Sequence, residues 1–254
     1  MTEQPAGATI LVPIDYHGVS PATLDMLVRI AGQLNRRLLG LVLESQRLQR
    51  VADLPFATEI LLASGQERRL EREHLNRRSS RVAADTRRCL LELARQARIE
   101  LSFEDDHGDR WHAALTRERS LDVFIPPRER WHRPAATGGA RLLIPRLGIL
   151  LTGSAMDASS VAIALALEQA GLVGRVYLLS SRRADPATVA PLLHGRAPSV
   201  LQQGVPTDPA NLLSLLRRSP YDLLLVHREA LAEIPPMQLE AALDDAGSQV
   251  MVVA

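Results

Sequence analysis

The feature that most constrains this chain is that it starts over halfway along. Ile10-Leu11-Val12 aligns with Ile149-Leu150-Leu151 at an offset of 139 residues. At that offset Ser20 meets Ser159, Ala31 meets Ala170, Gly32 meets Gly171 and Arg36 meets Arg175. A repeat that keeps a strand, a helix cap, a helix end and a second strand in register implies two copies of one supersecondary unit.

Each copy reads as strand, helix, strand. Thr9–Asp15 (TILVPID) is too short for a helix and rich in β-branched residues, as a buried parallel strand is. Ser20-Pro21 supplies an N-cap and a first-turn proline. Leu24, Leu27, Val28, Ala31 and Leu34 follow at helical spacing, and Leu38–Leu43 (LLGLVL) is the next strand. A βαβ unit this short forces parallel pairing. Helical periodicity then runs from Gln66 to Arg98, through Leu75, Val82 and Cys89. Ile99–Glu104 is a third strand, Ala113–Arg119 a short helix and Leu121–Ile125 a fourth strand. Val51–Ser64 has no clear pattern.

Pro126-Pro127, Pro134 and Gly138-Gly139 break the pattern, which places a linker at Arg128–Arg146, with Leu142–Ile144 as a residual edge strand. Units of 1–146 and 147–254 are expected. The second begins with strand Leu147–Thr152 and helix Ala158–Ala170. Strands Arg175–Leu179 and Ser199–Gln203 and helix Pro209–Arg218 come next. Strand Tyr221–Val226, helix Pro236–Ala246 and strand Gln249–Val253 complete it.

Composition narrows the chemistry. Hydrophobic residues make up 46% and aromatics 3% of 254 residues, so the core must be aliphatic. The net charge of +1 argues against a dedicated nucleic-acid binder. All 30 basic residues are arginine. Without lysine there is no Walker A contact to a triphosphate and no Schiff-base nucleophile. The single cysteine, Cys89, falls on an apolar helix position and reads as buried filler. Met1–Ala8 lacks the basic and apolar regions of a secretion signal, and no apolar run reaches the roughly 18 residues a membrane span needs. A cytoplasmic protein that binds neither membrane nor nucleic acid is expected.

The run ILVPID, the capped helix, LLGLVL and the terminal QVMVVA resemble a universal stress protein domain, and the element order fits in both halves. The resemblance implies two tandem Rossmann-like (adenine nucleotide alpha hydrolase-like) α/β units. Each would be a mostly parallel five-stranded sheet flanked by helices. ATP-binding members of that family carry Gly-x-x-Gly, then Gly-Ser or Gly-Thr, after the fourth strand. Glycine there lets backbone N–H groups approach phosphate, and a helix N-terminus follows. After Ile125 this chain reads PPRERWHRPAATGGAR, and after Val226 it reads HREALAEIPPMQLEAAL. The cradle is missing twice.

Asp15 matches the family position that contacts the nucleoside; a cap on the turn beyond the strand is the other reading. Its counterpart at the 139 offset is Ser154, in a Thr152-Gly153-Ser154 loop that reads as a tight turn or an anion contact. If a nucleotide (ATP or AMP) is held, Asp15, backbone near Leu41, and Arg128, Arg130 and Arg133 in place of the glycines are the candidates. Glu104–Asp109 with His112 reads as a solvated acidic loop rather than a metal site. Arg-Trp-His occurs at Arg110–His112 and Arg130–His132; the Trp rings either pack at the seam between units or stack on a ligand. There is no Gly-x-Ser-x-Gly elbow or His-Glu-x-x-His helix. The expectation is a non-catalytic regulatory or scaffold protein of stress or metabolic regulation. It would carry no resident cofactor and act as a homo-oligomer or on a protein partner. A divergent adenine-nucleotide binder is the alternative.

Overall fold

The computed structural model describes residues 8–15, 17–44, 46–60, 64–107, 114–117, 120–128, 142–154, 157–180, 186–193, 195, 197–205 and 208–254. Eleven strands are present among them: β1 (Thr9–Ile14), β2 (Arg37–Glu44), β3 (Thr58–Ile60), β4 (Glu67–Arg69), β5 (Leu101–His107), β6 (Asp122–Ile125), β7 (Ile144–Leu151), β8 (Val173–Ser180), β9 (Ser199–Gln203), β10 (Leu223–His227) and β11 (Gln249–Val253). The helices are α1 (Pro21–Gln33), α2 (Gln46–Ala52), α3 (Arg72–Ala97), α4 (Asp157–Gln169), α5 (Pro186–Leu193), α6 (Pro209–Arg218) and α7 (Pro236–Asp244).

Nine strands form one sheet in the order β5-β2-β1-β6-β11-β10-β7-β8-β9. All neighbours are parallel except β6 and β11, whose antiparallel register sets Ile125 opposite Val250 and Val123 opposite Val252. The expected α/β architecture is therefore present, with its halves fused edge to edge. The first half contributes four described strands to this sheet and the second five. β7 starts at Ile144, so the end of the expected linker is interior strand, not an edge. The stretch without a pattern, Val51–Ser64, holds the end of α2 and the strand β3, while β4 falls at the start of the stretch expected to be helical, so the helix begins at Arg72 rather than Gln66; β3 and β4 form a small hairpin outside the main sheet.

The interior strands of the main sheet are buried on both faces, as interior parallel strands must be. Ile10 and Val12 of β1 face a core shared with Leu24, Leu90, Val161 and Val189. Leu11, between them, faces the other core, with Leu213, Leu239 and Leu243. α1, α3, α4 and α5 thus cover one face, and α6 and α7 the other.

Local chemistry sets the helix ends. Ser20 caps α1, its Oγ accepting the Thr23 N–H at 3.2 Å. The chain leaves α1 through Asn35 (φ 50°) and leaves α4 through Gly171 (φ 70°), left-handed residues that stop a helix. Arg36 N–H donates to Ala31 O, and Leu172 N–H donates to Leu167 O. These landmarks lie 136 residues apart, as do both ends of α1 and α4 and of β2 and β8. The 139 offset is therefore corrected: it matches letters, Gly32 with Gly171, whereas Gly32 lies within α1 and Asn35 holds the stop position.

Where the halves meet, Asp122 is buried at the start of β6 and forms an ion pair with Arg36. Its Oδ1 also accepts the Ala254 N–H at 2.8 Å, beyond the end of β11. Burial lowers the Arg36 pKa, so the pair offsets a desolvation cost. Asp122→Ala strands that arginine and should cost about 3–5 kcal/mol of unfolding free energy in urea titration. A loss below about 1 kcal/mol would assign the seam's stability to apolar packing alone.

Candidate functional site

In an open parallel sheet, ligands bind beyond the carboxyl ends of strands where the connections diverge. In the first half that point lies between β1 and β6; in the second it lies between β7 and β10. The antiparallel seam aims the two points at opposite ends of the sheet.

At the first, Asp15 is buried just beyond β1. Its Oδ1 accepts the His17 N–H at 2.9 Å, and its carbonyl accepts the Gly18 N–H at 3.0 Å. One oxygen of the nucleoside-contact candidate thus closes the turn. Leu41 is fully buried within β2, in register with Pro13 on one side and Glu104 on the other. Arg128 forms an ion pair with Asp244 of α7 at 2.9 Å, across the seam. Arg130 and Arg133, the two Trp residues and their neighbouring His112 and His132 lie outside the described residues.

At the second point, a residue of this chain takes up the donors of the Thr152-Gly153-Ser154 loop. Asp157, buried in the first turn of α4, accepts the Thr152 N–H at 3.0 Å, the Thr152 hydroxyl at 3.1 Å and the Gly153 N–H at 2.8 Å. Gly153 has φ 81°, which its lack of a Cβ permits and which turns its amide toward the carboxylate. A carboxylate at a helix start also interacts favourably with the helix dipole. The tight-turn reading of this loop is the observed one.

The acidic run disperses among arginines. Glu104 and Asp106 pair with Arg117, the latter at 3.7 Å, and Asp105 pairs with Arg87. Among the described residues no group of three or more metal-type side chains converges. On α3, Arg77 pairs with Glu73 and Arg88 with Asp85, so its arginine-rich outer face carries ordinary helical ion pairs. Burial raises the Cys89 thiol pKa, which disfavours the reactive thiolate.

Sequence reading passed over Asp157, His227 at the end of β10 and Arg228 just after it. The available signals were an acid at the start of the helix after Thr-Gly-Ser, and two basic residues directly following an apolar strand. Arg228 reaches across the seam, its guanidinium donating to the carbonyls of Leu115 and, at 2.7 Å, Leu121.

Asp157→Ala frees the Thr152 and Gly153 amides and should cost about 1–3 kcal/mol. Sulfate should raise the melting temperature of this variant more than that of the parent. Equal stabilisation of both proteins by sulfate would mean that the loop does not receive anions.

No protein-family profile matches the chain, and no curated protein matches its sequence. Among solved structures it is similar to the crystal structure of a universal stress protein from Archaeoglobus fulgidus DSM 4304. The TM-score is 0.51 and the identity 11%, over 96% of this chain and 95% of that one. At that identity the likeness establishes the fold: this chain has the α/β fold of a universal stress protein, over nearly its whole length.

Proposed function

We propose that the chain is a tandem pair of universal-stress-protein-like units, 1–146 and 147–254, that acts through protein contacts rather than by catalysis. The observation that carries this reading is the filled loop of the second half. Donors that would otherwise meet a phosphate are bonded to Asp157. The ion pair of Arg128 with Asp244 and the turn bond of Asp15 point the same way.

The β2–α3 excursion supports a contact role. Phe56 is 77% exposed and Ile60 67% exposed, with Val51 and Leu54 also exposed nearby in the chain. Exposed apolar groups gathered on one segment mark interaction surfaces. We assign this segment to self-association or to a protein partner in stress or metabolic regulation, in the cytoplasm. No helix among the described residues is long and apolar enough to cross a membrane.

Phe56→Ser should lower the sedimentation-derived association constant by about tenfold or more if the ring is a contact anchor, with the melting temperature unchanged. An unchanged sedimentation profile would remove this surface from the reading. Equilibrium dialysis should give no saturable ATP binding, and micromolar binding near one per chain would replace the scaffold reading with the second one below.

The second reading is a divergent adenine-nucleotide binder, favoured by one observation, the burial of Asp15 at the diverging strand ends of the first half. It requires that AMP or ATP raise the melting temperature by several degrees at saturation, and that Asp15→Ala abolish the rise. Absence of a shift with both ligands eliminates it.

A further inference from the structure

The two outer strands of the main sheet, β5 and β9, are unlike. An outer strand presents unpaired N–H and C=O groups along one edge, and charged side chains commonly keep other strands away from it. β5 carries Glu104, Asp105 and Asp106 in succession. β9 reads Ser-Val-Leu-Gln-Gln, with no charge and no proline. Val200, Gln202 and Gln203 are exposed, and among the described residues no strand pairs with the outer edge of β9.

The ladder to β8 fixes which backbone groups lie on that edge. In a parallel pair, alternate residues of a strand turn both N–H and C=O toward the neighbour. Val176 of β8 stands in register with Ser199 and donates its N–H to the Pro198 carbonyl at 3.0 Å. Pro198, Val200 and Gln202 therefore face β8, and Ser199, Leu201 and Gln203 turn their N–H and C=O groups outward. Leu201 is the middle of the strand. An antiparallel copy centred on it sets Leu201 opposite Leu201 and Ser199 opposite Gln203. Each of these pairs joins two outward-facing residues, which exchange both N–H···O bonds. A centre at Val200 or Gln202 would leave Gln203 or Ser199 without a partner in the opposing strand.

We propose that β9 pairs antiparallel with the β9 of a second copy, across a two-fold axis at Leu201, so that two copies share one continuous sheet. The strand is its own complement: every outward group meets an outward group of the same strand. It is uncharged, so no like charges oppose one another across the axis, whereas β5 centred in the same way would set Glu104 against Glu104. A two-fold contact uses the same patch on both copies and closes at the dimer. The chain already joins strands in this manner, through the antiparallel pairing of β6 with β11. The surface belongs to the second half and is separate from the Phe56 segment of the first.

The test uses the full chain carrying Phe56→Ser, which removes association through that segment. Sedimentation should show a monomer–dimer equilibrium with a Kd of about 100 μM or tighter, as a small interface gives. Hydrogen exchange read by NMR should slow at the Leu201 amide by about tenfold or more between concentrations well below and well above that Kd. The Val200 and Gln202 amides, already bonded to β8, should gain less. Ser199→Glu with Gln203→Glu places like charges opposite each other in the dimer, as does Ser199→Arg with Gln203→Arg. Each double variant should weaken the dimer about tenfold or more, and an equimolar mixture of the two should restore it. A chain that stays monomeric up to about 1 mM, a Leu201 amide whose exchange ignores concentration, or a mixture no more associated than its components overturns the proposal. The Phe56 reading survives any of these, because it is tested by comparing Phe56→Ser with the parent.

Discussion

The antiparallel pairing of β6 with β11 is the interaction on which the rest of the structure depends. Without it, each half would end in a strand with a row of unpaired N–H and C=O groups. With it, the four described strands of the first half and five of the second share one sheet. Side-chain contacts reinforce the joint. Asp122 accepts the Ala254 N–H, Arg228 holds the Leu115 and Leu121 carbonyls, and Arg128 pairs with Asp244. All three join residues from opposite halves. The joint also reverses strand direction, so the carboxyl ends of the halves face opposite ways.

That geometry accounts for how polar groups are used. Charged groups near strand ends are partnered within the chain: Asp157 closes its own loop, and Arg128 serves the seam. Among the described residues, His227 at the end of β10 keeps a buried Nε2 without a hydrogen-bond partner. The ion pair of Arg128 with Asp244 and the bonds of Arg228 spend these arginines on the joint between the halves.

The sequence disclosed most of the fold because strands buried on both faces must be continuous apolar runs, and Thr9–Asp15, Leu38–Leu43 and Tyr221–Val226 are such runs. The cap at Ser20 was legible for a similar reason: an N-cap bond is made within three residues. That like elements recur along the chain was legible in kind, but their 136-residue spacing was not. Helix stops are fixed by backbone conformation, and Asn35 does the work that Gly171 does with a different side chain. Identity matching paired the wrong positions for that reason. The β3–β4 hairpin escaped notice because its strands are three residues each and largely exposed, with no face to bury.

The candidate site was legible only by subtraction. The missing glycine loops could be read from letters alone, since an amide cradle needs residues without a Cβ. What fills the loop could not, because Asp157 and the amides it accepts are brought together by the turn into α4. By itself the sequence determined the α/β class, the aliphatic core, the repeat and the absence of lysine chemistry, all set by composition and local periodicity. Only the tertiary structure decided that the halves join through β6 and β11 and that Arg128 and Arg228 serve the joint. Those are contacts between residues more than a hundred positions apart, which no local pattern encodes.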